Sequence, residues 1–213
     1  NLGGNASANW ITGGSCISYG NGSPNADFIR KYATSGDIAV TISDNASVTY
    51  VYNVFYDYEK ANGSSTIEIN GGSVNTALAN VSGTVTEDAS VTINGGSVQT
   101  VSAGYDGKVG GNAEVTVNGG EVTNVYAVAS GTVEQSASVT TNGGEVGIIY
   151  ATTGGTVKGN ASVTTNDGSY GTKGFVTDVI KTLSGYDYFY TCGPEPMLKA
   201  VYNKSETSGQ FSF

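Results

Sequence analysis

Asn70, Asn94, Asn118, Asn142 and Asn166 recur at one constant interval without a slip, and the first four each open an Asn-Gly-Gly turn followed by the same order of Val, Ala, Gly and Thr. A fixed period of this length marks a stacked array. One unit of such an array cannot bury its own apolar face, and the copies on either side complete it. The expected architecture is therefore an all-β, single-stranded β-helix (β-solenoid) with 24-residue coils. A right-handed turn is a fold-level expectation and is not read from the residues.

Written in register, the four full units are NGGSVNTALANVSGTVTEDASVTI, NGGSVQTVSAGYDGKVGGNAEVTV, NGGEVTNVYAVASGTVEQSASVTT and NGGEVGIIYATTGGTVKGNASVTT. Each splits into three short strand-like pieces divided by Gly-containing turns. The first piece carries Val74, Val98, Val122 and Val146, then Ala79, Ala103, Ala127 and Ala151. The second carries Val85, Val109, Val133 and Val157, just after Gly83, Gly107, Gly131 and Gly155. The third carries Ala89, Ala113, Ala137 and Ala161, with Val91, Val115, Val139 and Val163 two residues on. Neighbouring coils lie about 4.7–4.9 Å apart, so each column meets its own copies above and below and fills a narrow interior. A buried Val contributes about 1.5–3 kcal/mol, and ordering a residue costs about as much. A lone coil is unstable and a stack is not.

The Asn-Gly-Gly corners suit a tight turn because Gly accepts positive φ and Asn tolerates it. Stacked Asn can also form a hydrogen-bonded ladder up one edge. Helix is rejected by the period of two in SVTI, EVTV and SVTT. A sandwich has no reason to repeat in identical steps.

Three regions are expected: an N-terminal cap with irregular first coils over 1–63, regular solenoid over 64–165, and a short α/β tail over 166–213. Upstream, DNASVTY (44–50) and SSTIEI (64–69) both match the third strand, and their ends at Tyr50 and Ile69 stand closer together than one full period. The period is read there as unsettled. Residues 1–36 are rich in Asn, Gly and Ser with one candidate helix at 27–33, as befits an atypical terminal unit. Lacking an initiator Met or signal peptide, the chain reads as an excised piece.

With a net charge of −9 and only Lys108 and Lys158 as cations between residues 70 and 165, the chain is a poor partner for nucleic acid. There is no His and no recurring Asp-rich calcium repeat, so no metal ligands are expected. No stretch approaches the roughly 20 apolar residues of a membrane helix. Cys16 and Cys192 lie near opposite ends of a long array, whereas a disulfide needs Cα atoms within about 7 Å. Both are read as free thiols.

Chemistry is sought in the outward columns. Thr92, Thr116, Thr140 and Thr164 form a row, with Ser90, Glu114, Ser138 and Ser162 two residues earlier. Such a face is similar to that of ice-binding solenoids, but Glu114 interrupts it, and exposed Thr is an ordinary strand residue. Tyr50, Tyr52, Tyr56 and Tyr58 share one parity near Phe55, and Tyr105, Tyr126 and Tyr150 follow along the repeats. These rings suit sugar stacking or a protein partner, or they cover the solenoid end and pack under the N-terminal segment, which is the preferred reading. The carboxylates Glu87, Asp88, Asp106, Glu121, Glu134 and Glu145 are scattered, although Glu121 and Glu145 fall in adjacent coils, where pairing can raise a pKa. No catalytic residue is assigned.

Over about 46–166 the units resemble the Gly-rich Val-Thr-Ile-Asn-Gly-Gly repeats of large bacterial surface proteins, adhesin-like chains of gut-dwelling bacteria. The resemblance implies a non-enzymatic structural or adhesive region, extracellular or on the cell surface, without a cofactor. Its expected partners are a glycan or a host or bacterial surface protein.

After Asn166 the pattern changes to two helical stretches, 175–183 and 194–203, flanking a strand at 186–192. The run NDGSYGTKGFVTDVIKTLSGYDYFYTCGPEPMLKAVY and the closing SGQFSF are similar to the C-terminal part of the electron-transfer subunit of dihydroorotate dehydrogenase, one of the ferredoxin-reductase-like flavoproteins. The resemblance implies that Cys192, Gly193 and Pro194 correspond to the nicotinamide end of an NAD-binding module, with 167–169 at its nucleotide edge. The family also uses FAD and a 2Fe-2S cluster, and the flavin domain, the phosphate loop and the cluster cysteines have no counterpart here. The alternative reading is thus an incomplete, inactive fragment of an NADH-using flavoprotein, cytoplasmic if the tail defines the protein. The junction TTNDGS satisfies both patterns, as expected of a chimeric chain, natural or an assembly artefact, whose tail caps the solenoid or stays loosely folded.

Overall fold

The computed structural model describes residues 1–13, 36–55 and 60–166, and these residues are strand and turn throughout. β1 (Ser7–Thr12) stands first. Then come β2 (Ile38–Ile42), β3 (Ser47–Val54) and β4 (Lys60–Ala61), followed by β5 (Ser65–Ile69), β6 (Ser73–Asn80) and β7 (Thr84–Val85). The same five-, eight- and two-residue order recurs as β8 (Ala89–Ile93), β9 (Ser97–Gly104) and β10 (Lys108–Val109), then β11 (Ala113–Val117), β12 (Glu121–Val128) and β13 (Thr132–Val133). β14 (Ala137–Thr141), β15 (Glu145–Thr152), β16 (Thr156–Val157) and β17 (Ala161–Thr165) complete the described chain.

Each strand pairs in parallel with its counterpart one coil away, which makes three sheets along one axis: β1-β3-β6-β9-β12-β15, β4-β7-β10-β13-β16 and β2-β5-β8-β11-β14-β17. The fold is a β-solenoid. Its register is the one the columns require, with Val91 against Val115, Val115 against Val139, and Val98 against Val122.

The core follows from strand alternation. In β8 the inward Ala89, Val91 and Ile93 are fully buried while Ser90 and Thr92 between them are half-buried. The eight-residue strands depart from strict alternation: Val74 and Ala77 both point inward, with Asn75 and Thr76 lying between them toward solvent. One inward column changes along the axis, from Ile42, Ile69 and Ile93 through Val117 to Thr141.

Corners explain the glycines. Gly72, Gly96, Gly120 and Gly144 have φ of 81°, 86°, 85° and 88°, a region closed to most side chains. At Gly96 a Cβ would also fall 2.5 Å from the Gly72 carbonyl oxygen of the coil below. Beside these turns the asparagines form the expected ladder. Asn94 Nδ2 donates to Asn70 Oδ1 (2.7 Å), Asn118 to Asn94 (2.8 Å), Asn142 to Asn118 (2.8 Å) and Asn166 to Asn142 (2.6 Å).

Upstream, the structure corrects the register read from sequence. DNASVTY is not a third strand, because Ser47 pairs with Ser73 and Val48 with Val74, placing β3 in the first sheet, slightly more than one period before β6. The counterpart of SSTIEI is β2, where Ile38 pairs with Ser65, again a little over one period on. The motif S-V-T occurs in the third strand of later coils and also at the start of β3, so local pattern alone assigns it wrongly. β3 also carries Asn53 at the position of Ala79, buried beside Ser65 at the position of Ala89. Asn53 Nδ2 donates to Ser65 Oγ (3.1 Å) and to the Thr66 carbonyl (2.9 Å), and Ser65 Oγ donates to the Ala79 carbonyl (2.6 Å). Two departures from Ala thus bond to one another, with Asn53 Oδ1 left buried and without a partner among the described residues.

In the last described coil the same columns are less covered: Val163 is 44% exposed where Val139 is 0%. No described helix is long and apolar enough to cross a membrane. The expected helices at 27–33, 175–183 and 194–203, the strand at 186–192 and both cysteines lie outside the described residues.

Candidate binding surface

A solenoid this narrow encloses only its packed core, so any site must be built from side chains on the outer faces of the three sheets. On the third sheet, Thr92, Thr116, Thr140 and Thr164 stand in register, as do Ser90, Glu114, Ser138 and Ser162. One coil below, Glu68 continues the Thr row, so carboxylates break both columns. The structure therefore shows the interrupted face that the sequence describes.

The second sheet carries most of the charge contacts. Lys108 Nζ lies 3.0 Å from Glu134 Oε1, and Lys158 binds the other carboxylate oxygen from the coil above. Hydrogen bonds from Lys158 and Lys108 hold the Glu134 carboxyl below the usual range. The remaining acids are dispersed over strands and turns. Asp88 Oδ1 accepts the Asn112 amide (2.7 Å), Asp106 Oδ1 accepts Ser130 Oγ (3.1 Å), and Glu87 Oε2 accepts Ser64 Oγ (3.3 Å). Glu121 and Glu145 face each other across one coil step, both exposed to solvent. Among the described residues no three acids or cysteines come together as a metal would require.

The first sheet is different. Its lower strands β1, β3, β6 and β9 carry no charged residue at all. Tyr50 and Tyr52 lie on one face, as their parity requires, with ring centroids 5.5 Å apart. Trp10 of β1 packs 4.7 Å from Tyr50 and edge-on to Tyr52 (5.3 Å), and Phe55 stacks on Tyr52 at 5.3 Å. Tyr52 is the buried member of this cluster. Its hydroxyl pKa is raised, first by burial and then by the phenols of Tyr50 and Tyr105. Packing under the N-terminal segment, the preferred reading of these tyrosines, is what β1 does to Tyr50 and Tyr52. Higher up, Tyr126 and Tyr150 stack at 5.9 Å with rings 3° apart, and Tyr150 is 47% exposed. Tyr56, Tyr58, Cys192, Gly193 and Pro194 lie outside the described residues.

Beside the Tyr50 column runs a shallow trough. It is lined by the serines Ser47, Ser73 and Ser97 on one side and by Asn75, Gln99 and Thr123 on the other, over a floor at Val48 and Val74. Farther up the same sheet, a second hollow takes on charge from Glu121 and Glu145. Sequence reading missed Trp10 and this trough. Trp10 belongs to no repeat, and the trough is bounded by outward residues two apart, Ser73 and Asn75 and their equivalents, so its hollow forms only when the coils stack.

No family model matches the chain, and no solved structure matches it. It is similar to the dihydroorotate dehydrogenase B (NAD(+)) electron transfer subunit of Fusobacterium nucleatum, at 53% identity over 47 residues, 20% of this chain and 18% of that protein. The same subunit from a Geobacillus species is 61% identical over 33 residues, 15% of this chain and 13% of that protein. That from Lysinibacillus sphaericus is 51% identical over 45 residues, again 20% and 18%. The chain spans less than a fifth of the length of these curated relatives, so the likeness is local and leaves the family of the whole chain open.

Proposed function

We propose that the solenoid is a non-enzymatic structural or adhesive element of a bacterial surface. The observation that carries this reading is the agreement of every repeated feature with a single task. The Val and Ala columns, the glycine corners and the asparagine ladder all serve to add one more coil. Repetition of this kind sets length and presents the same outer face again and again, which suits a spacer or an adhesive surface. The acidic balance, −9 over the chain, keeps the sheet faces apart from one another.

The short likeness to the electron transfer subunits favours a second reading: a fragment of an NADH-using flavoprotein, with Cys192, Gly193 and Pro194 at the nicotinamide end. NAD, FAD and a 2Fe-2S cluster belong to that reading, and so does a cytoplasmic setting.

Two measurements on the intact chain separate them. Beads coated with the chain are expected to bind bacterial or epithelial cell layers saturably, or to remain inert as a spacer, with slow hydrogen exchange across 65–165 unaffected by NADH. Flavin that co-purifies, or exchange beyond residue 166 that slows with NADH, reverses the ranking.

A further inference from the structure

We infer that the trough on the first sheet binds a neutral polysaccharide laid along the solenoid axis; this deepens the adhesive reading and rests on it. The trough crosses β3, β6, β9 and β12 from Ser47 to Thr123. At about 4.8 Å per coil that is roughly 14 Å, with an amide or hydroxyl offered at each step. Regular polar groups at fixed intervals on a linear track suit a polymer of repeating hydroxyls. Its volume, about 320 Å³, falls at the small end of ligand clefts, and its open side leaves the ends free for a chain to run through. Trp10, 49% exposed, and its neighbour Tyr50 flank the lower end and offer ring surface for a sugar to stack on.

Charge selects the ligand class. In a chain of net charge −9 this lining carries none, so a charged ligand would lose hydration and gain no counter-charge. An anionic polymer is also repelled by the protein as a whole. A cationic polymer finds Glu121 and Glu145 higher on the sheet. A protein partner is less suited, because the lining itself is small and polar, without an Arg, and rings stand only at its lower end, whereas buried aromatic and Arg anchors dominate such interfaces.

The test is affinity electrophoresis of the full chain through gels containing dextran, hydroxyethylcellulose or galactomannan, with carboxymethylcellulose and glycol chitosan as charged comparisons. At least one neutral polymer is expected to retard the chain, with carboxymethylcellulose at least tenfold weaker. Gln99→Glu, which places a charge in the trough on an exposed side chain, and Trp10→Ala should each weaken that retardation by about tenfold. Ser138→Glu on the third sheet should leave it unchanged. Circular dichroism and exchange protection identify any variant that fails to fold, and Asn75→Asp then replaces it. Retardation untouched by both Gln99→Glu and Asn75→Asp overturns the site. No retardation by any neutral polymer, or stronger retardation by a charged one, overturns the ligand class. Bead adhesion that persists in either case leaves the adhesive reading standing, so the two failures are distinguishable.

Discussion

The coils above Ser65 and the coil below it use the same strands and different corners. From β5 upward every equivalent position recurs at the constant repeat interval, whereas the steps from Ile38 to Ser65 and from Ser47 to Ser73 are longer than that interval. The strand lengths do not change: β2 and β5 have five residues, β3 and β6 eight, β4 and β7 two. The surplus lies in the turns. One corner holds Ser43-Asp44-Asn45-Ala46 where the next holds Asn70-Gly71-Gly72, and there Asp44 takes the positive φ of 57° that glycine takes elsewhere. Its carboxylate accepts the Gly4 amide at 2.8 Å. Strand length is set by the need to match neighbours in register, and a corner varies in length and residues so long as its positive-φ position is filled by one that accepts it.

The sharpest way to break that comparison is to place a side chain at a stacked corner. Gly96→Ala meets both a positive φ, costing about 1–2 kcal/mol, and a carbonyl 2.5 Å away, so a loss on the order of 3 kcal/mol in urea unfolding is expected. Asp44→Gly, at the corner without stacked glycines, should change stability by less than about 1 kcal/mol. Equal losses at the two sites would show that corner identity is not what separates the regions.

Next in size is the core. Val115→Ala, in a residue 1% exposed between two identical neighbours, is expected to cost about 2.5 kcal/mol. Val163→Ala in the last described coil, 44% exposed, should cost well under half of that. A Val163 loss as large as that at Val115 would mean that the column is covered in solution.

How legible this was depended on whether information was local. Val91, Val115 and Val139, Gly96 and Gly120, and the asparagine ladder could be read from spacing, because each meets its own copy one period away. The placement of β3 could not, since its partner Ser73 lies off that period and its S-V-T resembles the wrong strand. Trp10 was invisible for a related reason: β1 pairs with β3 across a long intervening stretch, Ser7 against Ser47, and no repeat announces it. The lining of the trough, Ser73 and Asn75 on either side of Val74, follows the alternation, but the hollow between them forms only where coils stack, which the pattern of one strand does not contain.

Asparagine sharpens the comparison at intermediate energy. Asn118 donates to Asn94 and accepts from Asn142, whereas Asn70, at the lower end of the repeat, accepts from Asn94. With about 0.5–1.5 kcal/mol per net hydrogen bond, and both ends open to solvent, Asn118→Ala should cost about 1–2 kcal/mol and Asn70→Ala about half. A ladder that contributes only through turn conformation would give the same cost at both.

The smallest effect concerns charge, absent from β3, β6 and β9 and concentrated above them at Lys108, Glu134 and Lys158. The Glu134 carboxyl is held below its ordinary value of 4.5 by hydrogen bonds from Lys158 and Lys108. A lowered folded-state pKa means that the ionised form favours the native state. Its contribution is full above the ordinary carboxylate value and is lost as pH falls through the lowered one. Glu134→Gln should therefore lower Tm slightly at neutral pH and low salt, and the difference from the parent should close in acid. Because the group lies at the surface, the difference should also shrink in about 1 M salt, where the screening length is about 3 Å. Melting curves of the two proteins at neutral and acid pH decide it, since a difference that persisted in acid and in salt would belong to side-chain packing across the three coils and not to charge.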